Sequence, residues 1–187
     1  MKENIELEYK TLVNEEQFHT LMSFYPPTEE IVQINHYFDD ELFSDLNQHH
    51  VIRVREFPDS FEFTMKYYDE KHNLHEISKA MNSADLLSDP DVTAFLQERA
   101  IDVVSLKEFA CLKTIRKIFR DGYGELCFDE NYYGNTMDYE IEYEMIQETP
   151  DFFERYLEII KKADIKYQPS KPKIMRCFLN YSQSADN

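Results

Sequence analysis

Ile5-Glu6-Leu7-Glu8-Tyr9-Lys10, near the start of the chain, alternates apolar and charged residues. Successive side chains of a β-strand point to opposite faces, so this pattern predicts a strand with Glu6, Glu8 and Lys10 on one face. The apolar face can pack on a core, which leaves two carboxylates and an amine side by side on the other. Alone, the pattern is also typical of a strand whose charged face meets solvent. Whether this charged face meets solvent or binds a ligand therefore depends on the charges that the other strands carry.

Seven further segments are predicted to be strands from the same kind of alternation, which is less regular in residues 114–119. They cover residues 33–39, 51–56, 61–67, 75–78, 114–119, 125–129 and 138–145. The polar faces of these strands are segregated by the sign of their charge. Carboxylates dominate the first and last strands, where the last carries Glu140 and Glu142. The third, fourth and sixth strands carry cations instead, namely Arg53, Arg55, Lys66 and Arg116.

Helices are predicted between these strands from their capping residues and apolar stripes. The predicted helix starts lie at Asn14-Glu15-Glu16, Ser88-Asp89-Pro90, Thr149-Pro150-Asp151 and Ser170. The fold class is therefore predicted as α+β, with a closed antiparallel barrel of eight strands, a polar interior and covering helices. An eight-stranded barrel has room inside for side chains or one small ligand. We expect one domain over residues 1–187.

The bulk composition excludes several classes of function. The chain has 187 residues and a formal charge of −17, which argues against nucleic acid or an anionic membrane as a partner for the whole surface. No apolar run reaches membrane-spanning length and no signal peptide is evident. Three widely spaced cysteines, Cys111, Cys127 and Cys177, predict reduced thiols in a cytoplasmic protein. The three glycines lie within residues 122–134, so a glycine-rich phosphate loop is excluded.

The residue types of the polar faces predict a metal and an anion as ligands. Like charges about 4 Å apart repel by roughly 4 kcal/mol at an effective dielectric of 20, so clustered glutamates need cations and clustered arginines need anions. Carboxylate oxygens suit Mg²⁺ or Mn²⁺, while arginine and lysine suit phosphate. The six histidines are scattered without the spacing of a zinc site. His36 falls on an apolar face and is predicted to be a packed or edge residue rather than a ligand.

The ordered set of motifs resembles the CYTH superfamily, also called triphosphate tunnel metalloenzymes. Glu6-Leu7-Glu8-Tyr9-Lys10 is similar to its ExExK signature, and the similarity continues over essentially the whole chain. The later matching segments are Arg53-Val54-Arg55, Thr64-Met65-Lys66, Arg116, Glu140-Ile141-Glu142 and Ser170-Lys171. The resemblance implies a tunnel of eight antiparallel strands that binds a triphosphate lengthwise.

The resemblance also implies a role for each matching residue. Divalent cations would be held by carboxylates at Glu6, Glu8, Glu140, Glu142 and, as a further candidate, Asp129. Phosphates would be bound by Lys10, Arg53, Arg55, Lys66, Arg116 and Lys171. Lys10 would lie beside the reacting phosphorus or the attacking water, and is grouped with Glu6 and Glu8 as catalytic. Four further residues are second-rank candidates or substitutes: Asp39, Glu76, Arg120 and Lys173.

The predicted function is metal-dependent hydrolysis of a triphosphate, with Mg²⁺ or Mn²⁺ as cofactor. The substrate would be inorganic tripolyphosphate or an organic triphosphate such as thiamine triphosphate or a nucleotide. Two alternatives stay open: an adenylate cyclase of class IV, and a polyphosphate-binding module without turnover. The proton acceptor is a glutamate or Lys10, and the expected assembly is a monomer or homodimer.

Overall fold

The computed structural model describes residues 1–5, 7–47, 50–147 and 149–185. Over these ranges nine strands form one antiparallel sheet. They are β1 Lys2–Ile5, β2 Glu8–Val13, β3 Glu29–Asp39, β4 Val51–Phe57, β5 Ser60–Tyr68, β6 Leu74–Met81, β7 Lys107–Arg120, β8 Gly124–Tyr133 and β9 Thr136–Met145. The helices are α1 Glu15–Phe24, α2 Ser44–Asn47, α3 Pro90–Gln97, α4 Phe152–Lys161 and α5 Lys173–Ala185, with a 3-10 turn at Leu86–Ser88. The predicted α+β class is confirmed.

The strand order of the sheet is β1-β6-β5-β4-β3-β7-β8-β9-β2. The prediction of eight strands was wrong, because the segment predicted as the first strand belongs to two. β1 pairs with β6, whereas β2 pairs with β9. Glu6, between them, lies outside the described residues. In the described part of the chain no hydrogen-bonded ladder joins β1 to β2, the outermost strands of this order, so the predicted closed barrel is not confirmed.

The chain divides into two compact units. Unit 1 comprises Met1–Ile5, Gln33–Leu112 and Lys173–Asn187, and unit 2 comprises Glu6–Val32 and Lys113–Pro172. The long strands β3 and β7 each begin in one unit and end in the other. The assignment of the chain to a single domain stays a prediction.

Unit 2 has a core between its strands and the helices α1 and α4. The apolar side chains of β8 and β9 include Phe128 and Tyr143, which are fully buried in this core. α4 contributes Tyr156, whose hydroxyl donates to the Ile141 carbonyl at 3.1 Å. α1 begins as predicted, because Asn14 caps it in a reciprocal pair with Gln17. The apolar faces of β8 and β9 are therefore covered by helices.

Unit 1 has its own core between β4, β5 and α3. Val54 and Phe63 are fully buried there, together with Leu96 of α3. α3 starts at Pro90 as predicted, and the Asp89 carboxylate accepts from the backbone N–H groups of Asp91 and Val92. The apolar faces of β4 and β5 are thus covered, and their polar faces point the other way.

The last helix starts later than predicted. Ser170 was predicted as its first residue, but α5 begins at Lys173. The cause is Pro172, because a proline disfavours helical backbone at the residue before it, here Lys171. None of the helices over residues 1–5, 7–47, 50–147 and 149–185 has the length and apolar character needed to cross a membrane.

Candidate active site

The polar residues of unit 2 lie in rows across four strands. In one row Arg116 of β7 is opposite Asp129 of β8, which is opposite Glu140 of β9. In the next row Cys127 of β8 is opposite Glu142 of β9, which is opposite Lys10 of β2. Directly opposed residues of paired strands share a face, so these side chains lie on the same face. That face is the one turned away from the α1 and α4 side of the strands.

Three carboxylates of this face form what we call the acidic cluster: Asp129, Glu140 and Glu142. Each offers an oxygen, and the three oxygens lie within 4.8 Å of one another. The residues are only 0%, 0% and 5% exposed, respectively. Buried carboxylates at this spacing repel one another strongly unless cations offset them. The residue types and the spacing fit a metal ion bound through oxygen.

Arg116 is the cation that the protein itself supplies to the acidic cluster. Its guanidinium donates to both oxygens of Asp129, at 2.8 and 2.6 Å, and also to Glu142. Burial works against its charge, but Asp129 and Glu142 outweigh burial and raise the pKa of Arg116 above its ordinary value. A divalent cation would further offset the repulsion among the three carboxylates.

The segment before α5 is attached to the strands of unit 2 by two contacts, one to Glu140 on the polar face and one to Thr11 of β2. The Ser170 hydroxyl donates to Glu140 Oε1 at 2.6 Å. Two residues earlier, the Gln168 carbonyl accepts from the buried Thr11 hydroxyl at 2.8 Å. The serine of the predicted Ser170-Lys171 element therefore contacts a predicted metal ligand, while Lys171 is exposed.

Glu8 and Lys10 of β2 extend the polar face. The Lys10 ammonium donates a hydrogen bond to the Glu8 carboxylate, and both side chains are mostly buried. Lys10 is also the residue directly opposite Glu142. Two of the three residues predicted as catalytic thus lie next to the acidic cluster in the strand register. The third, Glu6, lies outside the described residues.

The predicted phosphate-binding residues of unit 1 form a second group, which we call the basic cluster: Arg53, Arg55 and Lys66. Arg53 is 8% exposed and donates to the Thr64 hydroxyl at 3.2 Å. Arg55 donates to the Asn35 side-chain oxygen at 3.1 Å. The buried Nε of Arg53 has no hydrogen-bond partner among the described residues. A buried N–H without a partner is unfavourable, and an oxygen of a bound anion could accept its hydrogen bond.

Glu76 is the counter-charge of the basic cluster. Its carboxylate is 3.0 Å from Lys66 Nζ and 3.8 Å from Arg53. Burial would raise the pKa of Glu76, but Lys66 and Arg53 outweigh it and hold the pKa below the ordinary value. Glu62 lies directly opposite Arg55 in the strand register, so a second carboxylate belongs to the surroundings of the basic cluster.

The second-rank candidates have other contacts. Asp39 accepts hydrogen bonds from the backbone N–H groups of Asp40, Asp45 and Leu46, so its oxygens bind α2 itself as well as the residue that follows β3. Arg120 is half-exposed and pairs with Glu29 and Glu125. Lys173 is the first residue of α5, in unit 1.

Sequence reasoning missed the supporting partners of the basic cluster. Asn35 and Thr64 are buried and accept hydrogen bonds from the two arginines. The available signal was their position in the strand alternation, which puts them on the same face as Arg53 and Arg55. An uncharged residue on a charged face was not singled out because its side chain alone does not indicate a ligand.

The sheet carries a cluster of buried carboxylates in unit 2 and a cluster of cations in unit 1, and these residue types suit a metal ion and an anion, respectively. Comparison with known proteins shows the family. The model of the CYTH domain family matches residues 4–178, so the chain belongs to the CYTH family.

Three relatives illustrate the similarity. A protein of Bacillus subtilis (strain 168) named "Putative triphosphatase YjbK" is 28% identical over 186 residues, which are 95% of this chain and 96% of that protein. A crystal structure from Bacillus halodurans, described as "a putative adenylate cyclase", has 31% identity and a TM-score of 0.83, and the match covers 95% of this chain and 100% of that one. HpAC1 from Hippeastrum, described as a "putative adenylyl cyclase" with "a dominant" triphosphatase activity, has 18% identity and a TM-score of 0.70 over 94% of this chain and 96% of that one. At that identity the last likeness concerns the fold alone.

Proposed function

We propose that this protein hydrolyses a linear triphosphate with the help of a divalent metal ion. The observation that carries the proposal is the acidic cluster, in which three buried carboxylates approach within 4.8 Å. Carboxylates this close repel one another in a buried site, and a divalent cation would offset that repulsion. Membership of the CYTH family and a relative named as a triphosphatase support the choice of reaction.

The metal would be held by Asp129, Glu140 and Glu142. Glu8 and Glu6 complete the proposed ligand set. All of these ligands are carboxylate oxygens, which favours Mg²⁺ or Mn²⁺ over softer ions. When bound, such an ion supplies Lewis acidity and neutralises charge on phosphate oxygens.

The phosphate groups would be bound by the basic cluster. The buried Arg53 Nε, which has no hydrogen-bond partner among the described residues, supports this role. Arginine binds phosphate oxygens in a forked geometry, whereas lysine acts as a point charge. The phosphate-binding roles of Arg116 and Lys171 remain predictions. The hydrogen bonds of Arg116 to Asp129 and Glu142 support a different role for it, in positioning the carboxylates.

Lys10 and Glu8 would act at the reacting phosphoryl group. Lys10 donates a hydrogen bond to Glu8 and lies opposite Glu142 in the strand register. We assign Lys10 to a phosphate oxygen and Glu8 to the proton of the attacking water. The water oxygen forms a bond to the terminal phosphorus, the bridging P–O bond breaks, and the diphosphate leaves. Positioning and charge neutralisation supply most of the rate in such reactions.

Release of inorganic phosphate is the direct test. The purified chain is incubated with tripolyphosphate, ATP or thiamine triphosphate, with Mg²⁺, with Mn²⁺ or with a chelator. We expect release from at least one triphosphate with either metal, and none with the chelator. Metal-independent release would contradict the proposed role of the acidic cluster. Binding without release would instead indicate a polyphosphate-binding module.

Adenylate cyclase activity is the second candidate. The observation that favours it is the 31% identity to the Bacillus halodurans protein described as a putative adenylate cyclase. The same ATP reactions distinguish the two activities, because a cyclase forms cyclic AMP and diphosphate whereas a triphosphatase releases phosphate. We expect phosphate to be the product.

A further inference from the structure

His36 of β3 lies between two carboxylates in unit 1. Its Nδ1 is 3.2 Å from Glu108 Oε1, and its Nε2 is 3.3 Å from Glu56 Oε2. The thiol of Cys111 lies in the same place, because the ligand atoms of His36, Glu108 and Cys111 are all within 4.8 Å of one another. Strand alternation puts His36 on the face opposite to Asn35, which belongs to the surroundings of the basic cluster. This group is thus separate from the proposed catalytic residues.

We propose that His36, Glu108 and Cys111 bind a divalent transition-metal ion such as Zn²⁺, with Glu56 orienting the His36 ring. Imidazole nitrogen, thiolate sulfur and carboxylate oxygen are the three donor types that zinc takes in proteins. Three protein ligands leave a fourth position for water or another ligand. A thiolate and an imidazole favour Zn²⁺ over Mg²⁺, so this site and the all-oxygen acidic cluster would select different ions.

Glu56 provides a separate indication of a metal ligand. A histidine that binds a metal through one ring nitrogen usually donates its other N–H to a carboxylate, which fixes the ring and its tautomer. Glu56 Oε2, 3.3 Å from Nε2, is placed to accept such a bond. In the tautomer with the proton on Nε2, Nδ1, the nitrogen that faces Glu108, is the metal-binding atom.

An imidazolium held between two carboxylates would account for Glu56 and Glu108 without any metal. It gives no role to Cys111, however, whose thiol lies within the same group. Glu108 and Cys111 are exposed, so an ion can reach them from solvent. Cys127 and Cys177 are buried and lack this access.

This group of residues was not predictable from local sequence patterns. Glu108 and Cys111 are three residues apart, and a regular strand would put them on opposite faces. His36 comes from a strand far away in the chain and was predicted to be a packed or edge residue. The proposal replaces that prediction, and it does not depend on triphosphatase activity.

Co²⁺ is a suitable probe, because a cobalt–thiolate bond gives a charge-transfer band in the near ultraviolet. The reduced full-length chain is titrated with Co²⁺ in excess Mg²⁺, which occupies the acidic cluster. We expect a thiolate band that saturates at one equivalent and is removed by Zn²⁺. Absence of the band would overturn the proposal.

Two cysteine variants identify the ligand. Cys111→Ser should abolish the band, whereas Cys127→Ser, which alters the thiol beside the acidic cluster, should retain it. A band that survives Cys111→Ser would overturn the proposal. The wild-type chain provides a check that needs no variant: Zn²⁺ should protect Cys111 from alkylation, as measured by peptide mass spectrometry. Equal alkylation with and without Zn²⁺ would contradict the site.

The histidine and glutamate variants test the assigned roles. His36→Gln should lose most of the cobalt affinity, while His19→Gln, at an exposed histidine of α1, should behave as wild type. Glu56→Gln should weaken the affinity by about 10- to 100-fold and keep the thiolate band, as expected for a residue that orients a ligand. An unchanged affinity in His36→Gln would rule out this histidine as a ligand.

Discussion

Arg116 holds Asp129 through two parallel hydrogen bonds, from Nε to Oδ1 at 2.8 Å and from a terminal nitrogen to Oδ2 at 2.6 Å. The same guanidinium also donates to Glu142 on the next strand. One arginine therefore fixes two of the three carboxylates of the acidic cluster. The ligands that a metal would need are positioned by the protein itself, and this limits the reorganisation required on binding.

Replacing Arg116 should destabilise the chain strongly. Arg116→Ala leaves buried carboxylates without their cation, which typically costs about 3–5 kcal/mol in the free energy of unfolding. Arg116→Lys keeps the charge but loses the forked geometry, so its loss should be smaller. Urea denaturation measures both. Arg120→Ala is the control, because the half-exposed pairs of Arg120 should contribute no more than about 1 kcal/mol each. Wild-type stability in Arg116→Ala would show that the cluster does not depend on this arginine.

Removing the Ser170 hydroxyl should weaken metal binding without unfolding the protein. Ser170 donates to Glu140 at 2.6 Å, and loss of such an outer partner typically lowers metal affinity about 10- to 100-fold. Calorimetric titration of Ser170→Ala with Mn²⁺ measures the change. Ser23→Ala, at an exposed serine of α1, should bind Mn²⁺ as the wild type does. Equal affinities in the two variants would argue against Glu140 as a ligand.

The contact between Thr11 and Gln168 should matter for stability and for the position of Ser170. The Thr11 hydroxyl donates to the Gln168 carbonyl at 2.8 Å and accepts from its N–H at 3.3 Å. Thr11→Val leaves these backbone groups without their partner, at a cost of about 1–3 kcal/mol. We expect a lowered melting temperature and weaker Mn²⁺ binding. Thr20→Val, on the exposed side of α1, should change neither quantity.

Glu76 should stay ionised to a lower pH than an ordinary glutamate. Its pKa in the folded chain lies below the unfolded value, because Lys66 and Arg53 outweigh the effect of burial. Its ionised form therefore stabilises the fold above the unfolded pKa, and this contribution is lost as the pH falls through the folded pKa. NMR titration of the Glu76 carboxyl carbon should give a depressed midpoint.

The variant Lys66→Met tests the cause of that depression. It removes the cation 3.0 Å from Glu76, so the pKa of Glu76 should rise. Lys79→Met is the matched control on the neighbouring strand, since Lys79 pairs with Asp89 and Asp91. A Glu76 midpoint that does not move in Lys66→Met would show that this ion pair does not set the pKa.

Local alternation predicted the strands that carry the clusters. Glu140 and Glu142 share a face of β9, and Arg53 and Arg55 share a face of β4, because the period of a strand is two residues. Alternation reports only the backbone conformation and the direction of each side chain. It therefore identified most residues of the two clusters without giving their contacts.

Features that depend on distant partners were not predictable in this way. The segment from Ile5 to Lys10 reads as one strand, yet β1 and β2 pair with different strands, and the choice of partner is not encoded locally. The pair of hydrogen bonds from Arg116 to Asp129 likewise depends on the register of β7 and β8. β7 itself begins at Lys107 rather than at residue 114, because its first half lacks clean alternation.

The most direct test of the central claim is metal-dependent phosphate release by a variant of the acidic cluster. Glu142→Gln removes one carboxylate charge with little change of shape, and Glu130→Gln is the control on the opposite face of β8, where Glu130 pairs with Lys117. With tripolyphosphate and Mg²⁺ or Mn²⁺, we predict that Glu142→Gln loses more than about 100-fold in rate, since changes to outer partners alone cost 10- to 100-fold in affinity or activity. Glu130→Gln should keep the wild-type rate, and circular dichroism should show both variants folded. A folded Glu142→Gln variant that releases phosphate at the wild-type rate would contradict the account.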